Sequence, residues 1–175
     1  MKNLRLFLLL LTLIAQPLFG SEKSSLFTVD MGKLFRSSDF GKKIISTNNI
    51  ARQELQNENE ELESLLLSEE KELSEQRKIL SSDEFRPKAL AFDEKVSIIR
   101  TEQGKKEENL KNKARKEEAE FYKRIYPLLY ELLLDRSGLI LIDQRNVILW
   151  DSTVDITEEA ILLINQVLGK SIKSD

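Results

Sequence analysis

The chain of 175 residues contains no cysteine and no histidine. Without cysteine it cannot form disulfides or use a thiol nucleophile, and without histidine it lacks the most frequent general base of enzymes. Both absences also remove the ligands of most zinc and haem sites. We therefore expect no catalytic, cofactor-binding or metal-binding residues, and we predict that the protein is not an enzyme.

Glycine and proline are scarce, with six and three residues respectively. The glycines form neither a phosphate-binding loop nor a dinucleotide-binding fingerprint. Carboxylates are abundant, but the cluster of Glu58, Glu60, Glu61 and Glu63 lacks the loop that calcium sites use. These carboxylates are better explained as the solvated face of a helix than as a catalytic pair.

The first twenty residues differ in composition from the rest of the chain. Lys2 and Arg5 precede a run over residues 6–15 that is almost wholly apolar. This layout predicts a signal peptide over residues 1–20 that is cleaved after Gly20, with an uncleaved anchor as the alternative. Cleavage leaves residues 21–175 as a single domain with 25 basic and 30 acidic residues, a net charge of −5. Because nucleic-acid binders normally present a basic surface, we expect no nucleic-acid partner.

The long charged stretch over residues 41–120 dominates the remaining chain. Ser37, Ser38 and Asp39 can cap the start of a helix, because their side chains accept hydrogen bonds from free backbone N–H groups. Between Arg52 and Ser81 only 8 of 30 residues are apolar. Several of them are leucines that recur at heptad spacing, namely Leu55, Leu62, Leu66, Leu73 and Leu80. Such a narrow apolar seam predicts a helical arm that pairs with one coiled-coil partner.

A break over residues 81–87 divides this stretch into two arms of similar length. Pro87 suits the first turn of a new helix, so we predict a hairpin rather than one long kinked helix. Arg52–Glu84 carries four basic and eleven acidic residues, whereas Arg86–Glu120 carries ten and eight. These balances of −7 and +2 favour antiparallel pairing of the arms. Lysines such as Lys106 are then expected to face the acids of Glu54–Glu63.

The flanking segments, residues 21–40 and 121–175, are predicted to form a β-rich base. A strand is expected over Leu26–Met31, and two further strands over residues 139–143 and 147–150. Asp155 and Glu158 are expected to cap the last helix together. Because both C-terminal strands are apolar on both faces, we expect the base to be buried in a homo-oligomer. The candidate residues for that contact are Val29, Leu139, Leu141, Val147 and Leu149.

The order of these parts resembles the Skp/OmpH family of periplasmic chaperones for outer-membrane proteins. The resemblance covers nearly the whole chain after residue 20. The resemblance rests on the segments VDMGKLFRSS, GKKI, LSSDEFRPKALAFDEKV, FYKRIYPLLYELL, LILIDQRNVILW and DIT. No single segment is specific, because charged coiled coils converge easily, and the order of the parts is what identifies the family.

The resemblance implies an α+β fold in which a small β-sheet or barrel base carries a long antiparallel helical hairpin, a coiled-coil tentacle, and assembles as a trimer. It also implies an ATP-independent periplasmic holdase that binds unfolded outer-membrane proteins in a cavity between the arms. The candidates for client contact are apolar residues near the tip of the arms, namely Phe85, Leu90, Phe92 and Val96. The alternative is an envelope coiled-coil scaffold or adaptor that binds a folded partner.

One property departs from the family pattern. Members of the family are often basic, with lysine-rich arms that suit lipopolysaccharide and acidic lipid, whereas the first arm here is strongly acidic. We therefore transfer no lipopolysaccharide site to this chain and make no prediction of membrane contact.

Overall fold

The computed structural model of the protein describes residues 25–169, so the predicted signal peptide lies outside the described residues. The elements are β1 Leu26–Val29, α1 Met31–Ser37, α2 Asp39–Gln76, α3 Ser82–Asp135, β2 Ile140–Asp143 and α4 Thr157–Leu168, with short 3-10 turns at Gln144–Asn146 and Ser152–Val154. The predicted class, a small sheet at the base of a long helical hairpin, is confirmed. Over residues 25–169, each helix is too short or too polar to cross a membrane.

The first arm begins where capping residues predict, whereas the second begins before the predicted start at Pro87. The Ser38 side chain accepts a hydrogen bond from the Gly41 N–H at 3.3 Å and starts α2. Ser81 and Glu84 form a capping box that starts α3, in which the Ser81 N–H donates to Glu84 at 3.1 Å. The hairpin is therefore confirmed, although α3 begins five residues before Pro87. It continues without interruption through both Pro87 and Pro127.

A short helix follows β1 that the sequence pattern does not predict. The strand ends at Val29 rather than Met31, because Asp30 turns the chain: its backbone N–H donates to the Thr157 hydroxyl at 2.9 Å. The Asp30 carboxylate then accepts from the Lys33 N–H at 2.8 Å and caps α1. Met31 and Leu34 lie on the buried face of this helix. The residues that follow β1 thus form a capped helix.

The sheet has two described strands rather than the three expected. β1 and β2 pair in parallel, with Leu26 opposite Ile140 and Val29 opposite Asp143. The predicted hairpin between residues 139–143 and 147–150 is wrong, because Val147–Trp150 forms no strand. The Asp143 carboxylate accepts a hydrogen bond from the Arg145 N–H at 3.0 Å, which starts a 3-10 turn in place of a tight hairpin turn.

The start of α4 is also arranged differently from the predicted capping box. Asp155 accepts hydrogen bonds from the Thr157 N–H at 2.9 Å and from its hydroxyl at 2.5 Å. Glu158 does not reach back to Asp155 but pairs with Lys33 at 2.6 Å. Burial would raise the pKa of Asp155, but the hydrogen bonds from Thr157 outweigh burial and lower it. This network joins the start of α4 to the end of β1.

The hydrophobic core lies in the base, where the last part of α3 packs against α1, β1 and α4. The buried residues of α3 begin at Phe121, whose ring packs edge-to-face on Phe35 at 5.0 Å and stacks with Phe40 at 5.8 Å. The other main core side chains are Val29, Leu34, Ile125, Leu129, Ala160, Ile161 and Ile164. A single helix therefore provides both the second arm and the centre of the base.

Two glycines offer a matched test of this packing. A Cβ atom at Gly41 of α2 would lie 1.8 Å from the carbonyl oxygen of Phe35 in α1, whereas a Cβ at Gly104 meets nothing within 4 Å. We predict that Gly41→Ala lowers the free energy of unfolding by about 2 kcal/mol or more through overpacking. Gly104→Ala should raise it by up to about 1 kcal/mol, since alanine is the better helix former. Urea unfolding monitored by circular dichroism measures both, and equal effects would contradict this packing.

Candidate functional site

Polar contacts connect the arms at three levels along their seam. The Asn48 side-chain amide donates to Glu117 at 2.7 Å, Lys106 pairs with Glu58, and Lys95 pairs with Glu69. The α3 members, residues 95, 106 and 117, are spaced by eleven residues, or about three helical turns. The contacts therefore recur on one side of α3 and hold the arms in a single antiparallel register. We call them the three rungs.

The charge complementarity predicted between the arms is present but sparse. Lys106 faces Glu58 as expected, and Gln103 donates to the same carboxylate at 2.9 Å. The hydrogen bond from Lys106, followed by that from Gln103, lowers the pKa of Glu58. Lys111, in contrast, pairs with Glu107 of its own helix at 2.6 Å. The predicted pairing between the arms is thus met by Lys106 but not by Lys111.

The seam also contains polar atoms that have no hydrogen-bond partner. Among residues 25–169, the buried Asn48 Oδ1 and Gln103 Oε1 atoms accept no hydrogen bond. Asn48 is 6% exposed, so its unpaired oxygen opposes close pairing of the arms. A seam of this kind specifies register more than it contributes stability. The arms are thus aligned firmly but held together weakly.

An open groove of about 580 Å³ lies between the outer halves of the arms. Its apolar surface comes from both helices, and each of its lining residues is half-buried or exposed. We call this surface the arm groove. Its apolar residues are Leu62, Leu66, Leu67, Phe92, Val96 and Ile99, and its polar residues are Asn59, Glu63, Glu70, Asp93, Arg100 and Gln103.

The structure brings together only two of the four candidates for client contact. Phe92 and Val96 line the arm groove on the α3 side. Phe85 is half-buried at the tip, with the Arg77 guanidinium 5.8 Å from its ring centroid. Leu90 is 60% exposed and lies outside the groove lining. Sequence reasoning did not assign Ile99 or the leucines of α2 to this surface, although their helical spacing marks an apolar face.

A second groove, of about 550 Å³, lies in the base beside β2. Tyr122, Tyr126 and Tyr130, which are all the tyrosines of the chain, line it at successive four-residue steps along α3. Burial, followed by the nearby Glu118 carboxylate, raises the pKa of Tyr122. We call this surface the base groove. Its remaining residues are Val29, Met31, Leu129, Leu133, Leu139, Leu141, Asp143 and Arg145.

The five candidates for oligomer contact occupy two different places. Val29 belongs to the subunit core and is 1% exposed, while Leu139 and Leu141 line the base groove with it. Val147 and Leu149 lie in the irregular segment 147–150, outside that groove. Leu139 is 79% and Leu149 87% exposed in the single chain. Sequence reasoning missed the tyrosine ladder, which its four-residue spacing could have revealed.

Over residues 25–169, the carboxylates form no group of three that could hold a metal ion. The acidic side chains from Glu58 to Glu63 do not converge, because they lie along an exposed helix. The two grooves are therefore the candidate functional surfaces of the described chain. Both are apolar with charged rims, which suits binding.

Comparisons with known proteins give one consistent result. The sequence model of the family described as outer membrane protein (OmpH-like) matches residues 25–163. Among solved structures, the chain is similar to one from Caulobacter crescentus CB15, provisionally described as an OmpH-like outer membrane chaperone. The TM-score is 0.77 at 17% sequence identity, and the match covers 89% of this chain and 92% of that chain. No curated protein shows significant sequence similarity to this chain.

A charge-swap cycle tests the rungs. We predict that Glu58→Lys and Lys106→Glu each destabilise the arms by placing like charges across the seam. The double variant should recover a coupling energy of about 0.5–1 kcal/mol, as expected for a partly exposed ion pair. Swapping Lys111 and Glu107, which pair within α3, serves as the control. Thermal unfolding followed at 222 nm provides the measurement, and a cycle with no coupling would show that the central rung does not hold the arms.

Proposed function

Because the chain belongs to the family of OmpH-like outer membrane proteins, we propose that it is an ATP-independent holdase chaperone of the periplasm. Its clients are unfolded outer-membrane proteins, which it binds between its helical arms. The observation that supports this most directly is the arm groove, an open apolar surface on a pair of helices anchored only at one end. The predicted export signal over residues 1–20 is consistent with this location.

The arm groove suits a holdase because its contacts are individually weak. Its apolar side chains are half-buried or exposed in the free protein, so they offer surface without a shaped pocket. An unfolded chain that buries part of its apolar surface there gains about 25 cal/mol per Å². Many such contacts prevent aggregation without imposing one conformation on the client. Release then requires no nucleotide, since no single contact is strong.

We further propose that three copies assemble through their bases. Four apolar residues close to β2 in the sequence are exposed in the single chain. Leu139 precedes β2, and Ile148, Leu149 and Trp150 follow it. The base groove offers a complementary apolar surface with a ladder of tyrosines. Segment 147–150 of one copy seated in the base groove of the next is a heterologous contact, which closes into a ring at three subunits. The arms of the three subunits would then surround a common cavity.

Suppression of aggregation tests the chaperone activity. An unfolded outer-membrane β-barrel is diluted from urea with a threefold molar excess of the mature protein, and light scattering is recorded. We predict strong suppression, and we predict that the Phe92→Ser/Val96→Ser variant loses most of it. Leu90→Ser, a similar change at an exposed leucine outside the groove, is the control and should lose much less.

Unchanged aggregation in the presence of the wild-type protein would refute the holdase proposal. Capture of one folded partner in a fixed ratio, instead of several unfolded barrels, would favour the scaffold alternative.

Solution mass tests the assembly. We predict a trimer for the wild-type protein and a monomer for the Leu139→Asp/Leu149→Asp variant, because a carboxylate buried without a partner is strongly unfavourable. Both leucines are largely exposed in the single chain, so the subunit fold should survive. Leu162→Asp, at a leucine of α4 that is 69% exposed and lies outside the base groove, is the control and should remain trimeric. An unchanged mass for the double variant would contradict this interface.

A further inference from the structure

Charged residues border the apolar lining of the arm groove. Three exposed carboxylates, Glu63, Glu70 and Asp93, border the groove, and Arg100 is the one cation among its lining residues. Within residues 25–169, none of these three carboxylates pairs with a cation of the chain within 4.0 Å. The groove therefore presents unpaired negative charge next to apolar surface.

The carboxylates of the arms fall into two groups. On the seam, Glu58 and Glu69 are neutralised by lysines of the opposite arm. At the groove rim, Glu63, Glu70 and Asp93 pair with no cation of residues 25–169. The excess over Arg52–Glu84, four basic against eleven acidic residues, adds a negative field of the same sign around the groove. A ligand that enters the arm groove thus meets two carboxylates on the α2 side of the apolar floor, and one carboxylate and one guanidinium on the α3 side.

We propose that the arm groove selects unfolded segments in which apolar side chains alternate or intermingle with lysine and arginine. This inference rests on the proposed holdase function and specifies its client class. Apolar side chains of such a segment pack on Phe92, Val96 and Ile99, while its cations reach the rim carboxylates. Lysine and arginine suit this position because their long aliphatic stems cover apolar surface while the charge remains in water. A segment with acidic residues at the same positions is repelled by the rim.

The experiment compares two unstructured peptides of fifteen residues that share the same leucines and phenylalanines. One carries four lysines and the other four glutamates, and both carry a neutral dansyl label. Fluorescence anisotropy with the full mature protein measures their affinities. We expect the lysine peptide to bind roughly fivefold to tenfold more tightly in 25 mM salt, as several exposed charge pairs would give. The preference should shrink in 500 mM salt, where screening shortens the range of these interactions.

Two variants that remove equal charge separate the groove from the overall field. The Glu63→Gln/Glu70→Gln/Asp93→Asn variant should lose most of the preference for the lysine peptide. The Glu54→Gln/Glu61→Gln/Glu94→Gln variant changes exposed carboxylates outside the groove lining and should retain it. Equal loss of preference in both variants would overturn the assignment to the arm groove.

The outcomes also distinguish this inference from the function on which it rests. If the protein suppresses aggregation but binds both peptides equally, or prefers the glutamate peptide, the client class is wrong and the holdase function stands. If it neither suppresses aggregation nor binds either peptide, both proposals fail.

Discussion

The parallel pairing of β1 with β2 is the constraint on which the rest of the structure depends. Parallel strands cannot be joined by a tight turn and require a crossover connection. Here the crossover runs from Asp30 to Leu139 and contains both arms. Pairing therefore places residues 26–29 beside residues 140–143, and most of the chain between them projects outward as a hairpin. The α3 residues from Phe121 onward fill the space beside the sheet and anchor the hairpin to it.

This anchoring explains the contrast between base and arms. In the base, Phe121, Ile125 and Ile164 are fully buried, and the Thr157 hydroxyl joins the strand end to the last helix. Beyond the base, the arms bury little and are aligned by the three rungs. Since local stability follows buried apolar contacts, opening of the arms should be much easier than opening of the base. The division suits a molecule whose assembly is fixed and whose binding surface adapts.

Local signals in the sequence predicted the arms well. The cap at Ser38 acts through a side chain next to the backbone that it satisfies, so a short sequence pattern contains it. The capping box of Ser81 and Glu84 is equally local but was not identified, because the second helix was expected to begin at Pro87. The base was predicted less well, because its structure depends on contacts between residues that are far apart in the sequence. The apolar run at Val147–Trp150 has the composition of a strand, but it pairs with neither β1 nor β2, which pair with each other across more than a hundred residues of sequence. Helix α1 was missed although its cap is local, since the Asp30 carboxylate accepts from the Lys33 N–H three residues on.

The grooves could be anticipated only in part. The spacing of Leu62 and Leu66 shows an apolar face on α2, but which residues of α3 lie opposite depends on the register set by the rungs. Asn48 and Glu117 are far apart in sequence, and nothing local marks them as partners. The unpaired state of Glu63 and Glu70 likewise follows from that register, since Glu69, the neighbour of Glu70, pairs with Lys95. Acidic composition was evident, but its placement beside an apolar floor was not.

Hydrogen exchange of the mature protein with and without an unfolded outer-membrane protein tests the central claim most directly. If the arms bind clients and the base serves for assembly, amides in residues 62–70 and 92–103 should gain protection, while those of β1, β2 and α4 should not change. Protection confined to the base, or an equal change along the whole chain, would contradict the account.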